Sequence, residues 1–359
     1  MLACTILLSA SSARADDQHR VTDLNSELAT RPTRAITRLR RTGAVLAAIG
    51  PGLLVRGAGS YLVGEKHAAR RLLQFGAIGL GAALVGGGPI GYSGGNPYTT
   101  PGLPVLLVGG GMFLTTWWAD IATAAGVSRT GGRAVADPRW SIELATLWLH
   151  DPYREAGMVR VRAETQLGRF RLAAEDTRDY EAHELSDTAA DLRVRIYGAP
   201  ATNEVIADGS RLEVRGTWRY RKDEEFGLRT STGELVVAGR LDLAHLDAAL
   251  DGTFAELSAG IGEELVSYAS SSDRDHDSLL LGGFAWGAYL GGHGELKLFY
   301  DNRRDGLVGG GHWLHTQGFI GSLGGSLDWM LDRHWGAHLQ VEQGTAWLTT
   351  FGLRYRGSR

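Results

Sequence analysis

The densest run of reactive side chains lies at Phe299-Tyr300-Asp301-Asn302-Arg303-Arg304-Asp305, followed closely by Gly309-Gly310-Gly311-His312-Trp313-Leu314-His315. Carboxylates and an imidazole at this spacing suit proton transfer, with Asp301 or Asp305 orienting His312 as a general base. Such a base needs a nucleophile, yet the hydroxyls that follow, Ser322 and Ser326, stand in no Gly-x-Ser-x-Gly elbow. A plainer reading makes 301–306 a polar hairpin loop with self-paired charges, and the three glycines a bend or a close strand contact. Asp301, Asp305 and His312 are thus the catalytic candidates, in a chain that reads more readily as a non-enzyme.

A second constellation is cationic. Arg193, Arg195, Arg215 and Arg219 recur at even spacing together with Glu213, and Arg160, Arg162, Arg211 and Arg240 extend the pattern with Glu164 and Asp242. Arginines gathered on one face create a local positive field that favours anions. Metal and cofactor chemistry find little support. His312 and His315 would point to opposite faces of a strand, and His334 and His338 would stand about 13 Å apart along one. The single cysteine, Cys4, excludes a disulfide framework and a thiolate cluster. No Gly-Lys-Ser/Thr follows Gly86-Gly87-Gly88, so these are not a phosphate loop. A net charge of −3 gives no electrostatic basis for binding nucleic acid. No cofactor and no metal are expected.

These side chains need elements to position them, and from residue 152 onward the dominant period is two. Leu192, Val194 and Ile196 alternate with Arg193, Arg195 and Tyr197; Leu212, Val214, Gly216, Trp218 and Tyr220 alternate with Glu213, Arg215, Thr217 and Arg219. Trp335, Ala337, Leu339 and Val341 alternate with His334, Gly336, His338, Gln340 and Glu342. Weaker alternation runs through 159–167, 235–243, 253–261, 280–290, 294–300 and 319–331, with turn signals such as Ser231-Thr232-Gly233 and Gly291-Gly292-His293-Gly294 between the runs. Such a series makes either a water-soluble sandwich or barrel, or a transmembrane barrel with the apolar face in lipid. Aromatics on the apolar face, among them Trp218, Trp347 and Phe351, favour the second.

The first third is different. Glycine is abundant, at 51 of 359 residues, roughly double its usual share. Three apolar stretches, 42–64, 72–92 and 103–127, approach the roughly 20 residues of a membrane-spanning helix. Residues 1–15 end in Ala13-Arg14-Ala15 before Asp16-Asp17, the layout of a secretory signal. The expected organisation is a signal peptide at 1–15, a polar and basic segment at 16–41, a glycine-rich helical hairpin region at 42–130, a linker at 131–151 and a β-barrel at 152–359.

The final run, Trp347-Leu348-Thr349-Thr350-Phe351-Gly352-Leu353-Arg354-Tyr355, with the export signal and the alternating segments, resembles Gram-negative outer-membrane β-barrel proteins over residues 152–359. It departs from their pattern by continuing as Arg356-Gly357-Ser358-Arg359. The resemblance implies a mainly β fold, an antiparallel transmembrane barrel of about 12 strands preceded by the helical hairpin. It further implies residence in the outer membrane, contact with membrane lipids and with the outer-membrane insertion machinery, and a structural or passive, porin-like role. Arg193, Arg195, Glu213, Arg215 and Arg219 would line the lumen and meet an anionic solute. Because that class includes lipid hydrolases, a rim site near Asp301 and His312 is one alternative. Another is an inner-membrane anchor carrying a periplasmic β-domain that binds or scaffolds.

Overall fold

A computed structural model describes residues 38–93, 102–126, 134–135, 137–151, 154–180, 185–199, 205–206, 208–269, 274–303, 307–308 and 321–357. The expected signal segment at 1–15, most of the segment at 16–41, and the candidates Asp305 and His312 lie outside the described residues.

The period-two segments form strands because alternate side chains have different solvents to satisfy. The twelve long strands are β2 (Trp140–His150), β3 (Glu155–Leu167), β4 (Phe170–Asp179), β5 (Leu185–Tyr197), β7 (Arg211–Asp223), β8 (Leu228–Asp242), β9 (Thr253–Tyr268), β10 (Arg274–Tyr289), β11 (Gly294–Asp301), β12 (Ser322–Met330), β13 (Trp335–Gln343) and β14 (Trp347–Gly357). Each pairs antiparallel with its neighbour in this order, and β14 pairs with β2 to close a barrel. Two short strands, β1 (Ala134–Val135) and β6 (Val205–Ile206), pair apart from the wall.

The exposures of the two faces decide between the two barrel architectures. Ile142, Leu144, Trp148, Leu192, Trp218, Leu235, Leu257, Ile261, Leu280 and Phe351 are exposed on the outside, whereas the charged residues Glu143, Asp191, Glu213 and Arg240 are buried inside. A water-soluble barrel would have the reverse pattern, so this wall is built for lipid. Outward aromatics gather at both ends of the wall. Trp140, Trp335 and Tyr355 pack together at the end where β2 begins, with Tyr355 5.6 Å from Trp140 and 5.1 Å from Trp335. Trp148, Trp218 and Trp347 lie toward the other end. The first is called the near end below, and the second the far end.

Two expectations need correction. The barrel begins at Trp140, inside the segment expected to be a linker. In β2 the far-end half is apolar on both faces, with Leu147 and Leu149 buried inside and Trp148 exposed outside, which blurs the alternation into a continuous apolar run. The apolar stretch 42–64 is not one helix. It comprises part of α1 (Arg38–Ile49), a 3-10 turn at Pro51–Leu53 and the short α2 (Ala58–Leu62). Pro51 and the left-handed Gly57 (φ 86°) interrupt it. The remaining stretches do form long helices, α3 (Lys66–Ser93) and α4 (Gly102–Ala125).

These helices are anchored at the near end of the barrel. Leu72 of α3 and Ala119 of α4 are buried with Leu243, Ala249 and Leu250 of the β8–β9 connection, and Ala255 and Trp286 pack against the same cluster. Asp120 fixes α2 by accepting hydrogen bonds from the Gly59 and Ser60 amides at 3.1 and 2.7 Å and from the Ser60 hydroxyl at 2.6 Å. Beside it Arg56 donates to the Gly52 carbonyl at 2.6 Å and lies 3.7 Å from the centre of the Phe113 ring. Burial pushes Arg56 down to about 10, against the pull of Asp120.

Candidate functional site

The barrel interior gathers the charged side chains. Cross-strand register places Arg171 of β4 opposite Arg193 of β5, and Arg193 opposite Arg215 of β7. Three arginines thus stand side by side on adjacent strands, an arrangement that repels unless carboxylates intervene. Asp191, one inward position from Arg193, supplies much of the compensation. It accepts from Arg215 Nη2 at 2.9 Å, from Thr217 Oγ1 at 2.8 Å and from Arg162 Nη2 at 3.2 Å. Arg193 comes within 3.6 Å of the same carboxylate, but its Nε has no hydrogen-bond partner among the described residues.

Elsewhere the interior is a lattice of ion pairs. Arg195 donates to Glu213 at 2.9 Å, Arg219 lies 3.6 Å from Asp187, and Arg160 reaches Glu143 at 2.9 Å. Glu143 also accepts from Arg354 Nε at 2.8 Å across the closing seam. Arg240 bridges Glu256 and Glu295, each at 2.6 Å, over the ring of Phe254. The five residues singled out from sequence, Arg193, Arg195, Glu213, Arg215 and Arg219, therefore share the inner face of β5 and β7. They sit in a network of both signs rather than on a purely basic wall.

Both mouths carry inward-folded chain. At the near end β1 and β6 pair, and Ala134 is buried with Phe254 and Tyr289. This positions Asp137 between Arg171 at 2.7 Å, Arg195 in closer contact and Arg211 at 3.6 Å. Burial alone would raise the Asp137 carboxyl, but Arg211, Arg171 and Arg195 together hold it well below the usual carboxylate range. Among Asp137, Arg195, Arg211 and Arg240 lies a cavity of about 20 Å³, room for about one water. At the far end Arg303, just beyond β11, forms a two-point pair with Glu234 of β8, at 2.7 and 3.0 Å. Val308 is buried against Leu147, Leu149, Met158 and Leu348.

Of the catalytic candidates, only Asp301 lies among the described residues. It ends β11, and its carboxylate accepts from the Arg303 amide at 3.0 Å. The expected self-pairing of loop charges holds in part: Arg303 lies 3.7 Å from Asp301, while its two-point partner is Glu234 across the barrel. One hydroxyl–imidazole–carboxylate cluster stands outside the wall, where Glu263 contacts His276 at 2.8 Å and accepts from Ser278 at 3.2 Å. The carboxylate lies between the other two, so the imidazole is not placed to take the serine proton. Sequence reasoning missed Asp137, Arg171 and Asp191. Arg171 and Asp191 fit the inward alternation of their strands, whereas Asp137 lies in a non-repetitive segment with its partners far along the chain.

The sequence matches no protein-family description and no curated protein. Several solved structures show a low similarity to the chain. The KdgM porin in complex with disordered oligogalacturonate is 8% identical, with a TM-score of 0.40, and the match covers 60% of this chain and 99% of that one. The NanC porin is 7% identical, with a TM-score of 0.36, over 60% of this chain and 100% of that one. The translocator domain of the autotransporter NalP from Neisseria meningitidis is 11% identical, with a TM-score of 0.36, over 65% of this chain and 92% of that one. At such values these likenesses assign no function.

Proposed function

We propose that this protein is an outer-membrane barrel that offers small anions a narrow passive path along its arginine-bearing wall. The apolar exterior supports membrane residence, since a water-facing domain tethered by a helical anchor would leave that belt in water. In this reading the far end is assigned to the cell exterior and the near end to the periplasm. The observation that carries the reading is the guanidinium row Arg171, Arg193 and Arg215, in which Arg193 is incompletely paired. A partly satisfied guanidinium in a confined lumen attracts anions more strongly than the surrounding neutral pairs do. The test is reversal potential in planar bilayers under a potassium chloride gradient. The parent protein prefers chloride, and Arg193→Gln with Arg215→Gln shifts the potential toward zero; an unchanged potential in that variant overturns the reading.

A second reading rests on the inward-folded chain at both mouths, which favours a closed barrel that serves as scaffold. Absence of conductance in both the parent and an Asp137→Asn variant selects it.

A further inference from the structure

The helices α3 and α4 pack in a manner opposite to a hairpin in water. Their contact is made by glycines: a Cβ at Gly79 would lie 2.7 Å from the Phe113 amide, one at Gly86 2.4 Å from the Leu106 amide, and one at Gly109 2.4 Å from the Ala83 amide. The large apolar side chains point away from the partner helix, with Ile78 61%, Leu84 65%, Val85 72% and Val108 52% exposed. In water this would strand an apolar patch without cover. In lipid it is the expected solution, because close backbone approach rather than burial of large side chains drives association there.

Length and charge agree. Residues 72–93 and 102–119 contain no Asp, Glu, Lys, Arg or His, and at about 1.5 Å per residue they extend about 33 and 27 Å, matching a hydrocarbon core of about 30 Å. Lys66, Arg70 and Arg71 stand just before the uncharged part of α3, and Arg71 lies 3.6 Å from Asp247 at the near end of the barrel. From that end α4 climbs the outer wall. Ala122 neighbours Gly252 before β9, whereas Gly111 abuts the outward-facing Trp286, which pairs with Ala255 inside β9. The exposed helical face is thereby continuous with the barrel's own lipid-facing surface.

We infer that the α3–α4 hairpin lies in the same bilayer as the barrel, with acyl chains as its partner, so that strands and helices of one chain share one membrane. This rests on the barrel spanning that membrane. The test places a thiol-reactive fluorophore at Leu84→Cys, Val108→Cys, Arg70→Cys or, on the barrel wall, Leu257→Cys, each with Cys4→Ser in the full chain reconstituted into vesicles. Brominated acyl chains serve as quencher. Labels at positions 84, 108 and 257 lose most of their emission, and the label at 70 keeps it. Retained emission at both 84 and 108, with quenching at 257, overturns the hairpin inference alone. Retained emission at 257 overturns the barrel reading beneath it. Using both 84 and 108 keeps the test decisive if one variant fails to assemble.

Discussion

A single carboxylate, Asp137, joins three neighbouring strands that lie far from it along the chain, since its partners Arg171, Arg195 and Arg211 belong to β4, β5 and β7. Removing its charge takes from three guanidiniums their shared carboxylate, a loss below the roughly 3–5 kcal/mol of a fully unpaired buried charge, because Arg195, Arg171 and Arg211 keep Glu213, Glu164 and Glu256 as second partners. Asp137→Asn is therefore expected to release the near-end segment, seen as higher conductance at neutral pH or as new proteolysis near residue 137. The pH dependence has a definite sign. A free aspartate titrates near 3.9, and the clustered one lies well below, so its stabilisation is complete above about 3.9 and is lost as pH falls through the lower value. Lowering the pH to about 4.5 leaves this carboxyl ionised and should not reproduce the Asn variant; an equal release at that pH would show that another group holds the segment. The inward arginines of β5 and β7 were legible in the sequence because a strand sorts its side chains by parity. Asp137 was not, because no local period points to partners dozens of residues away.

Elements differ in how openly they declare themselves. The last strand was readable because Trp347, Thr349, Phe351, Leu353 and Tyr355 form one outward face along its full length. β2 was hidden because Val308 covers Leu147 and Leu149 from inside, making both faces apolar. The long helices were visible as apolar runs, but their partner was not, since glycine records closeness without saying to what. Side-chain space now separates one glycine from the next. A Cβ at Gly109 would strike the Ala83 amide, whereas one at Gly110 would meet nothing within 4 Å. Gly109→Leu should force the helices apart at a cost of about 1–3 kcal/mol, and Gly110→Leu should not. Limited proteolysis of the 94–101 connection checks this, provided each variant still yields an intact barrel. Equal protection of the two variants would remove glycine packing as what holds the hairpin together.

Across the whole molecule the expected barrel of about 12 strands is met by a closed wall of twelve, because antiparallel neighbours in sequence remain neighbours in space. A closed wall of this kind resists detergent until heated. An unboiled sample should migrate faster than a boiled one on a denaturing gel, and coincident bands would rule out a closed barrel. The seam makes that closure conditional. β2 and β14 meet from Trp347 opposite His150 to Gly357 opposite Trp140, joining two ends of the barrel chain that lie some two hundred residues apart in sequence. Until the final strand is available, β2 presents a free edge that invites pairing with any other chain. Completeness is thus proofread by geometry: a chain cut short before Trp347 cannot hide its own edge, however well its other strands have paired.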